Sequence, residues 1–83
     1  MNYELTQHAK DMLQERGIAL EWLARVLDNP VTTHPDPTDD TLEHRLGKIA
    51  EFSNRVLRVV VNIKVKPARV ITAYFDRTMK GKS

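Results

Sequence analysis

The sequence predicts an α+β domain, with two N-terminal helices packed on one face of a small antiparallel sheet of three or four strands. Apolar residues recur at helical spacing over residues 5–29, and from Thr41 onward the spacing changes to two. The 83 residues suffice for one domain. We therefore expect a single domain, 1–83, with a two-helix unit (5–29), an acidic loop (30–41), a β-meander (42–77) and a basic tail (78–83).

The first helix is predicted within "LTQHAKDMLQERGI". Thr6 is a suitable N-cap, and Gly17 suits the position just after the last turn. Ala9, Met12 and Leu13 form the apolar stripe. The second helix follows in "ALEWLARVLDNP", where apolar residues repeat at helical spacing and Asn29-Pro30 ends the pattern.

Residues 31–41, "VTTHPDPTDDT", combine two prolines with three aspartates and predict an acidic surface loop without a strand. His34 with Asp36, Asp39 and Asp40 matches no ligand spacing. We expect no metal site and no cofactor.

Three strands are predicted in "TLEHRLGKIA", "RVLRVVVNIKV" and "RVITAYFD", and Tyr3 to Leu5 is a candidate fourth. Alternation divides them into a core face and a polar face. The expected core residues are Leu57, Val59, Val61, Ile63, Val65, Ile71, Ala73 and Phe75. On the first strand, alternation sends His44 to the core with Leu42 and Leu46, and a register break near Gly47 would reverse this.

Charge is divided unevenly along the chain. Residues 1–44 hold three Lys/Arg against nine acids, whereas residues 45–83 hold ten Lys/Arg against two acids. This asymmetry favours a polyanionic partner for the C-terminal half, although basic strands also neutralise the acidic half of their own molecule. The chain contains no cysteine, no signal-peptide pattern and no apolar run long enough to cross a bilayer. We therefore expect a cytoplasmic protein without membrane contact.

The polar sheet face is the first candidate site. It is expected to present Arg58, Asn62, Lys64, Thr72 and Tyr74, joined by Glu43 and Arg45. Cations beside a tyrosine suit RNA, because guanidinium and ammonium groups bind phosphate and an aromatic ring stacks on a base. The outer face of an ordinary half-buried sheet has a similar composition, so this alternative stays open.

His8 and Arg16 are the second candidate, about 80° apart around the first helix. The helix dipole disfavours the imidazolium in the first turn, which suits His8 as a general base. The alternative is ordinary helix surface, with Arg16 near the negative end of the dipole. Since this helix covers the core face, His8 reaches the polar face only around a sheet edge.

Four sequence features together resemble a small bacterial family, domain of unknown function 4258. They are His8-Ala9, Arg16-Gly17-Ile18, Asn29-Pro30 and the valine-rich segment from Val56 to Arg77. That family is similar to RelE and BrnT toxins of toxin-antitoxin systems, with a fold of the barnase, colicin and RelE ribonuclease type.

The resemblance implies metal-independent RNA cleavage, with RNA, free or on the ribosome, and an antitoxin as partners. It implies catalytic roles for His8, Arg16, Arg58 and Tyr74, and RNA contacts for Arg77 and Arg45. The polar face adds Asn62 and Lys64 as RNA-binding candidates. The alternative is a noncatalytic RNA-binding or protein-interaction module, including a homodimer that covers Arg58 and Tyr74.

Overall fold

The structure, a computed structural model, describes residues 1–77. Two helices pack on one face of a five-stranded sheet of order β1-β5-β4-β3-β2. The elements are β1 (Tyr3–Leu5), α1 (Gln7–Arg16), α2 (Leu20–Asp28), β2 (Thr32–Pro35), β3 (Leu42–Ile49), a 3₁₀ turn (Ala50–Phe52), β4 (Arg55–Asn62) and β5 (Ala68–Phe75). The α+β prediction is confirmed, with more strands than expected. The predicted basic tail, 78–83, lies outside the described residues.

Both ends of α1 follow the sequence prediction. The Thr6 hydroxyl accepts the backbone N–H of Ala9 at 3.0 Å, which satisfies one of the free donors in the first turn. Gly17 adopts φ 65°, and the N–H of Ile18 reaches the carbonyl of Leu13 at 2.9 Å. This left-handed glycine ends the helix and turns Ile18 into the core.

The sheet is mixed, because β1 pairs in parallel with β5 whereas the other neighbouring strands pair antiparallel. The candidate strand Tyr3–Leu5 is confirmed, and it lies at one edge of the sheet. Neither helix among residues 1–77 is long and apolar enough to cross a membrane.

The prediction of a strandless loop over 31–41 was wrong at its start. Thr32–Pro35 forms β2, which pairs antiparallel with β3 at the other sheet edge. Its last three residues are exposed, so the strand has no apolar alternation to reveal it. Pro35 is compatible with this position because an edge strand needs hydrogen bonds on one side alone.

The main core lies between the helices and one face of the sheet. Leu23, Val26 and Leu27 of α2 and Ala9 and Leu13 of α1 pack there. The sheet contributes Leu57, Val59, Val61, Val70 and Ala73, among others.

A β-bulge shifts the expected core pattern of β5. The register changes between Val60, which pairs with Thr72, and Val61, which pairs with Val70. Val70 is consequently buried in the core, whereas the predicted core residue Ile71 is half-buried. Two further core predictions failed after the end of β4, where Ile63 is exposed and Val65 is half-buried outside the main core.

Candidate functional site on the open face of the sheet

The face of the sheet opposite the helices, here called the open face, carries polar side chains from three strands. Arg58 of β4 lies opposite Tyr74 of β5 and Leu46 of β3, and His44 lies opposite Val60. Directly opposed residues in a ladder share a face, so Arg58, Tyr74 and His44 project from the same side. Leu46 and Val60 are nevertheless buried here, beneath the polar side chains.

A chain of hydrogen bonds crosses this face through Asp36, His44, Arg58 and Asp76, here called the polar chain. Asp36 Oδ1 lies 2.6 Å from His44 Nε2, and His44 Nδ1 lies 2.8 Å from Arg58 Nη1. Arg58 Nε and Nη2 donate to Asp76 Oδ2 at 2.9 and 2.6 Å. All four side chains are less than one fifth exposed, so water screens these interactions weakly.

The neighbours of His44 assign its tautomer. Arg58 can only donate, so His44 Nδ1 accepts and must lack a proton. Nε2 then carries the proton and donates to Asp36. Both ring nitrogens of His44 are therefore engaged while Arg58 holds this position.

Asp36 is fixed as a carboxylate by the turn that follows β2. Its Oδ2 accepts the backbone N–H groups of Thr38 and Asp39 at 3.0 and 2.9 Å, and the Thr38 hydroxyl at 3.1 Å. The hydrogen bond to His44 has the largest effect on the pKa of Asp36 and lowers it. The donors of the turn lower it further, so the pKa lies well below its usual range. A carboxylate that stays ionised at neutral pH therefore orients the His44 ring.

Arg58 keeps capacity for a ligand. Three of its five guanidinium N–H groups donate to His44 and Asp76, and no hydrogen bond to the described residues occupies the remaining two. Asp76 makes interactions besides those with Arg58.

A cationic cleft lies at the end of the sheet where β4 begins and β5 ends. This arginine cleft, about 410 Å³ in volume, is lined by Arg16, Phe52, Arg55, Tyr74, Phe75 and Arg77. A second cleft of about 300 Å³ shares Arg55, Phe75 and Arg77 and includes Asp76, the last member of the polar chain. Asp76 therefore connects the polar chain to the second cleft, which shares three residues with the arginine cleft.

Arg16 reaches this surface from the C-terminal end of α1. Its Nη1 donates to the carbonyl of Ala73 at 2.9 Å, and its Cζ lies 5.9 Å from the centroid of the Tyr74 ring. The first helix therefore does contact the site around the edge of β5, through Arg16.

The structure brings together four of the eight residues predicted from the sequence: Arg16, Arg58, Tyr74 and Arg77. His8 is exposed in the first turn of α1, and no hydrogen bond or ion pair within residues 1–77 joins it to them. Asn62 is the last residue of β4, about 23 Å along the strand from Arg55, and Lys64 lies two residues beyond it. Asn62 Oδ1 there accepts the backbone N–H of Lys64.

The predicted faces of β3 were wrong, because Glu43 and Arg45 lie on the helix side and His44 on the open face. Arg45 lies opposite the core residue Val59. It donates to the carbonyl of Leu27 at 2.6 Å and to Glu43 at 2.7 Å. Its cation thus binds the C-terminal end of α2, where the helix dipole favours positive charge.

Six residues of the site had escaped sequence-based prediction as site members: Asp36, His44, Phe52, Arg55, Phe75 and Asp76. The pattern "DPTD" did contain a signal for Asp36, because an aspartate often forms an Asx turn in such a segment. Its side chain then accepts the backbone N–H groups two and three residues later, here those of Thr38 and Asp39. Phe52 and Arg55 gave no such signal, because they come together only through the turn between β3 and β4.

A family model described as a domain of unknown function (DUF4258) matches residues 5–75. Neither the curated proteins nor the solved structures contain a significant match to the chain. The family match includes Arg16, Phe52, Arg55, Arg58 and Tyr74, and it ends immediately before Asp76.

Proposed function

The chain belongs to the DUF4258 family, whose description assigns no activity, and we propose that it binds single-stranded RNA in the arginine cleft and cleaves it without a metal ion. The observation that carries this proposal is the meeting of three arginines and Tyr74 in one cleft beside the polar chain. The similarity to RelE and BrnT toxins, an antitoxin partner and a cytoplasmic location belong to the same proposal.

Binding follows from the chemistry of the cleft. Arg16, Arg55 and Arg77 supply planar cations that match the geometry of phosphate oxygens. Tyr74 offers a ring on which an unpaired base can stack. Both kinds of contact favour a flexible single strand, since the bases of a duplex are already stacked on one another.

Cleavage requires a cation at the phosphate and a base for the 2′-hydroxyl proton. The 2′-oxygen bonds to phosphorus, the bond from phosphorus to the 5′-oxygen breaks, and the leaving 5′-oxygen takes a proton from water, which leaves a 2′,3′-cyclic phosphate and a 5′-hydroxyl. In our proposal Arg58 turns its guanidinium toward the bound phosphate and stabilises the charge that develops on the phosphorane. That movement releases the Nδ1 lone pair of His44, whose Nε2–H stays on Asp36. His44 then acts as a general base oriented by a carboxylate. We prefer His44 to His8 in this role because His44 contacts Arg58.

A second candidate is an RNA-binding module without cleavage. The observation in its favour is that His44 and Arg58 already bind each other, so that His44 is not free to act as a base before the side chains rearrange. The other noncatalytic alternative is a protein-interaction module, such as a homodimer that covers Arg58 and Tyr74.

The test is incubation with short end-labelled RNA in EDTA, using wild type, His44→Gln, His8→Ala and Arg58→Lys, each checked for folding by circular dichroism. We expect wild-type cleavage and a loss of about 100-fold or more in His44→Gln and Arg58→Lys, typical of removing acid-base or charge stabilisation. His8→Ala should retain activity. Arg69→Ala, which removes an exposed cation from the far end of β5, is the matched control.

The pattern of losses decides between the alternatives. A loss in His8→Ala with full activity in His44→Gln would transfer the base role to His8. RNA binding without cleavage, with or without ribosomes, would favour the noncatalytic module. Absence of RNA binding would reject both.

A further inference from the structure

Three aromatic rings and one arginine form a layered cluster at the margin of the arginine cleft. Trp22 of α2 stacks on Phe52 with a centroid distance of 5.9 Å and an interplanar angle of 25°. Phe75 lies 4.8 Å from Phe52. The Arg55 guanidinium lies 4.8 Å from the centroid of the Phe52 ring. A planar cation therefore lies at one end of an aromatic stack.

The backbone and one ion pair hold Phe52 in this position. Phe52 ends the 3₁₀ turn, and Ser53 and Asn54 follow with φ of 55° and 56°, which reverses the chain into β4. The preceding residue, Glu51, accepts two hydrogen bonds from Arg25 of α2 at 2.9 and 2.7 Å. The turn is thereby attached to the same helix that supplies Trp22.

Core formation alone does not account for all members of the cluster. Trp22 and Phe75 are partly buried and pack against the main core, so they close its end. Phe52 is 38% exposed, and Arg55 lines both clefts. In RNA-binding proteins, unpaired bases stack on aromatic rings and on arginine guanidinium planes within positively charged grooves, and this cluster presents both kinds of group.

We propose that Phe52 and Arg55 form a nucleobase subsite, in which one unpaired base of a single-stranded RNA stacks on the Arg55–Phe52 layer while cations of the arginine cleft bind adjacent phosphates. This inference rests on the proposed RNA binding and adds a defined position for one base. Stacking recognises the aromatic face that all four bases share, so the subsite selects unpaired bases over paired ones and discriminates weakly among sequences.

The experiment is an abasic scan with a six-nucleotide RNA, 2′-O-methylated throughout so that no 2′-hydroxyl can attack. One abasic sugar is moved through each position, and affinity is measured by fluorescence anisotropy. In wild type, one position should show a roughly 5- to 150-fold loss of affinity, the range for loss of one base–aromatic stack. In Phe52→Leu and Arg55→Lys, which preserve apolar packing and charge, that loss should fall below about threefold.

A second readout comes from Trp22, the only tryptophan of the chain. Its emission should change on binding of the intact oligomer and not on binding of the oligomer abasic at the sensitive position. Arg69→Lys, the matched control for Arg55→Lys, should keep the wild-type abasic profile.

The outcomes separate the subsite from the function on which it rests. An equal loss at every position, or a Phe52→Leu variant with the wild-type profile, would overturn the subsite while RNA binding stands. Failure of wild-type protein to bind any of the oligomers would overturn the proposed function and the subsite together.

Discussion

Asp36 shows how one side chain can control a partly buried network. Its carboxylate binds His44 on one oxygen and the turn N–H groups of Thr38 and Asp39 on the other. The same residue therefore closes the β2–β3 connection and fixes the tautomer of the histidine. Its protonation would weaken both groups of contacts at once.

This gives a pH-dependent prediction for folding. The folded-state pKa of Asp36 is lowered, first by His44 and then by the turn donors, so Asp36 contributes stability above its unfolded pKa of about 3.9. That contribution is lost as the pH falls below 4 toward the folded pKa. Thermal unfolding from pH 7 to pH 2.5 should show a steeper fall in Tm for wild type than for Asp36→Asn.

Asp40→Asn is the matched control, because Asp40 is an exposed carboxylate in the same connection. It should follow the wild-type curve. Parallel curves for wild type and Asp36→Asn would contradict the stabilising role of the Asp36 carboxylate.

Individual site residues were predictable where the charge or the aromatic ring of the side chain was enough to suggest a role. Arg16, Arg58, Tyr74 and Arg77 were predicted from their charge or ring, together with the family resemblance, and the structure brings them together. The alternation of β3 predicts the wrong face for His44, because it aligns His44 with the apolar residue Leu46. Leu46 is indeed buried, but on the open face.

At the scale of elements, the two helices and the three long strands were predictable because their periodicity is strong. Edge strand β2 and the bulge in β5 were not, because neither depends on an apolar pattern. The inverted face of β3 has a related cause. The residue of β3 that packs against α2 on the helix side is Gly47. Glycine has no side chain, so it adds nothing to the apolar pattern of the strand.

The packing of α2 on β3 explains this glycine and yields a second prediction. A Cβ at Gly47 would lie 3.0 Å from Cγ2 of Val26, which is buried in the core. Gly47→Ala should therefore lower the free energy of unfolding by about 1–3 kcal/mol through overpacking. Urea denaturation followed by circular dichroism measures the change.

Val26→Ala supplies the internal control. In that background the methyl group that obstructs residue 47 is absent, so adding Gly47→Ala should cause little further loss. Additive losses in the double variant would show that the strain lies elsewhere in the strand.

For the whole molecule, the opposite charges of the two sequence halves are only partly resolved by the fold. Arg45 of the basic half pairs with Glu43 of the acidic half, whereas the pair Arg25–Glu51 joins the minority charge of each half and leaves the imbalance unchanged. The cations of the arginine cleft come instead from α1, β4 and the second residue after β5, so that distant parts of the chain build one positive surface. No composition count could have identified that surface, because Arg16 belongs to the acidic half.

This arrangement predicts the salt dependence of RNA binding. Removing one arginine that binds a phosphate should reduce the slope of log affinity against log salt by about 0.7 for a single strand. Arg16→Ala and Arg77→Ala should each show that reduction, measured by anisotropy between 50 and 300 mM KCl. Arg69→Ala should retain the wild-type slope, and an equal change in all three would indicate binding through general charge.

The edge strand β2 affects the tendency of the protein to aggregate at high concentration. Outer strands with unpaired backbone groups are templates on which neighbouring molecules can extend a sheet into aggregates. Here that template is four residues long and ends at Pro35, which has no N–H to offer. The short length of β2 and its terminal proline therefore disfavour growth into fibres by strand addition at this edge of the sheet.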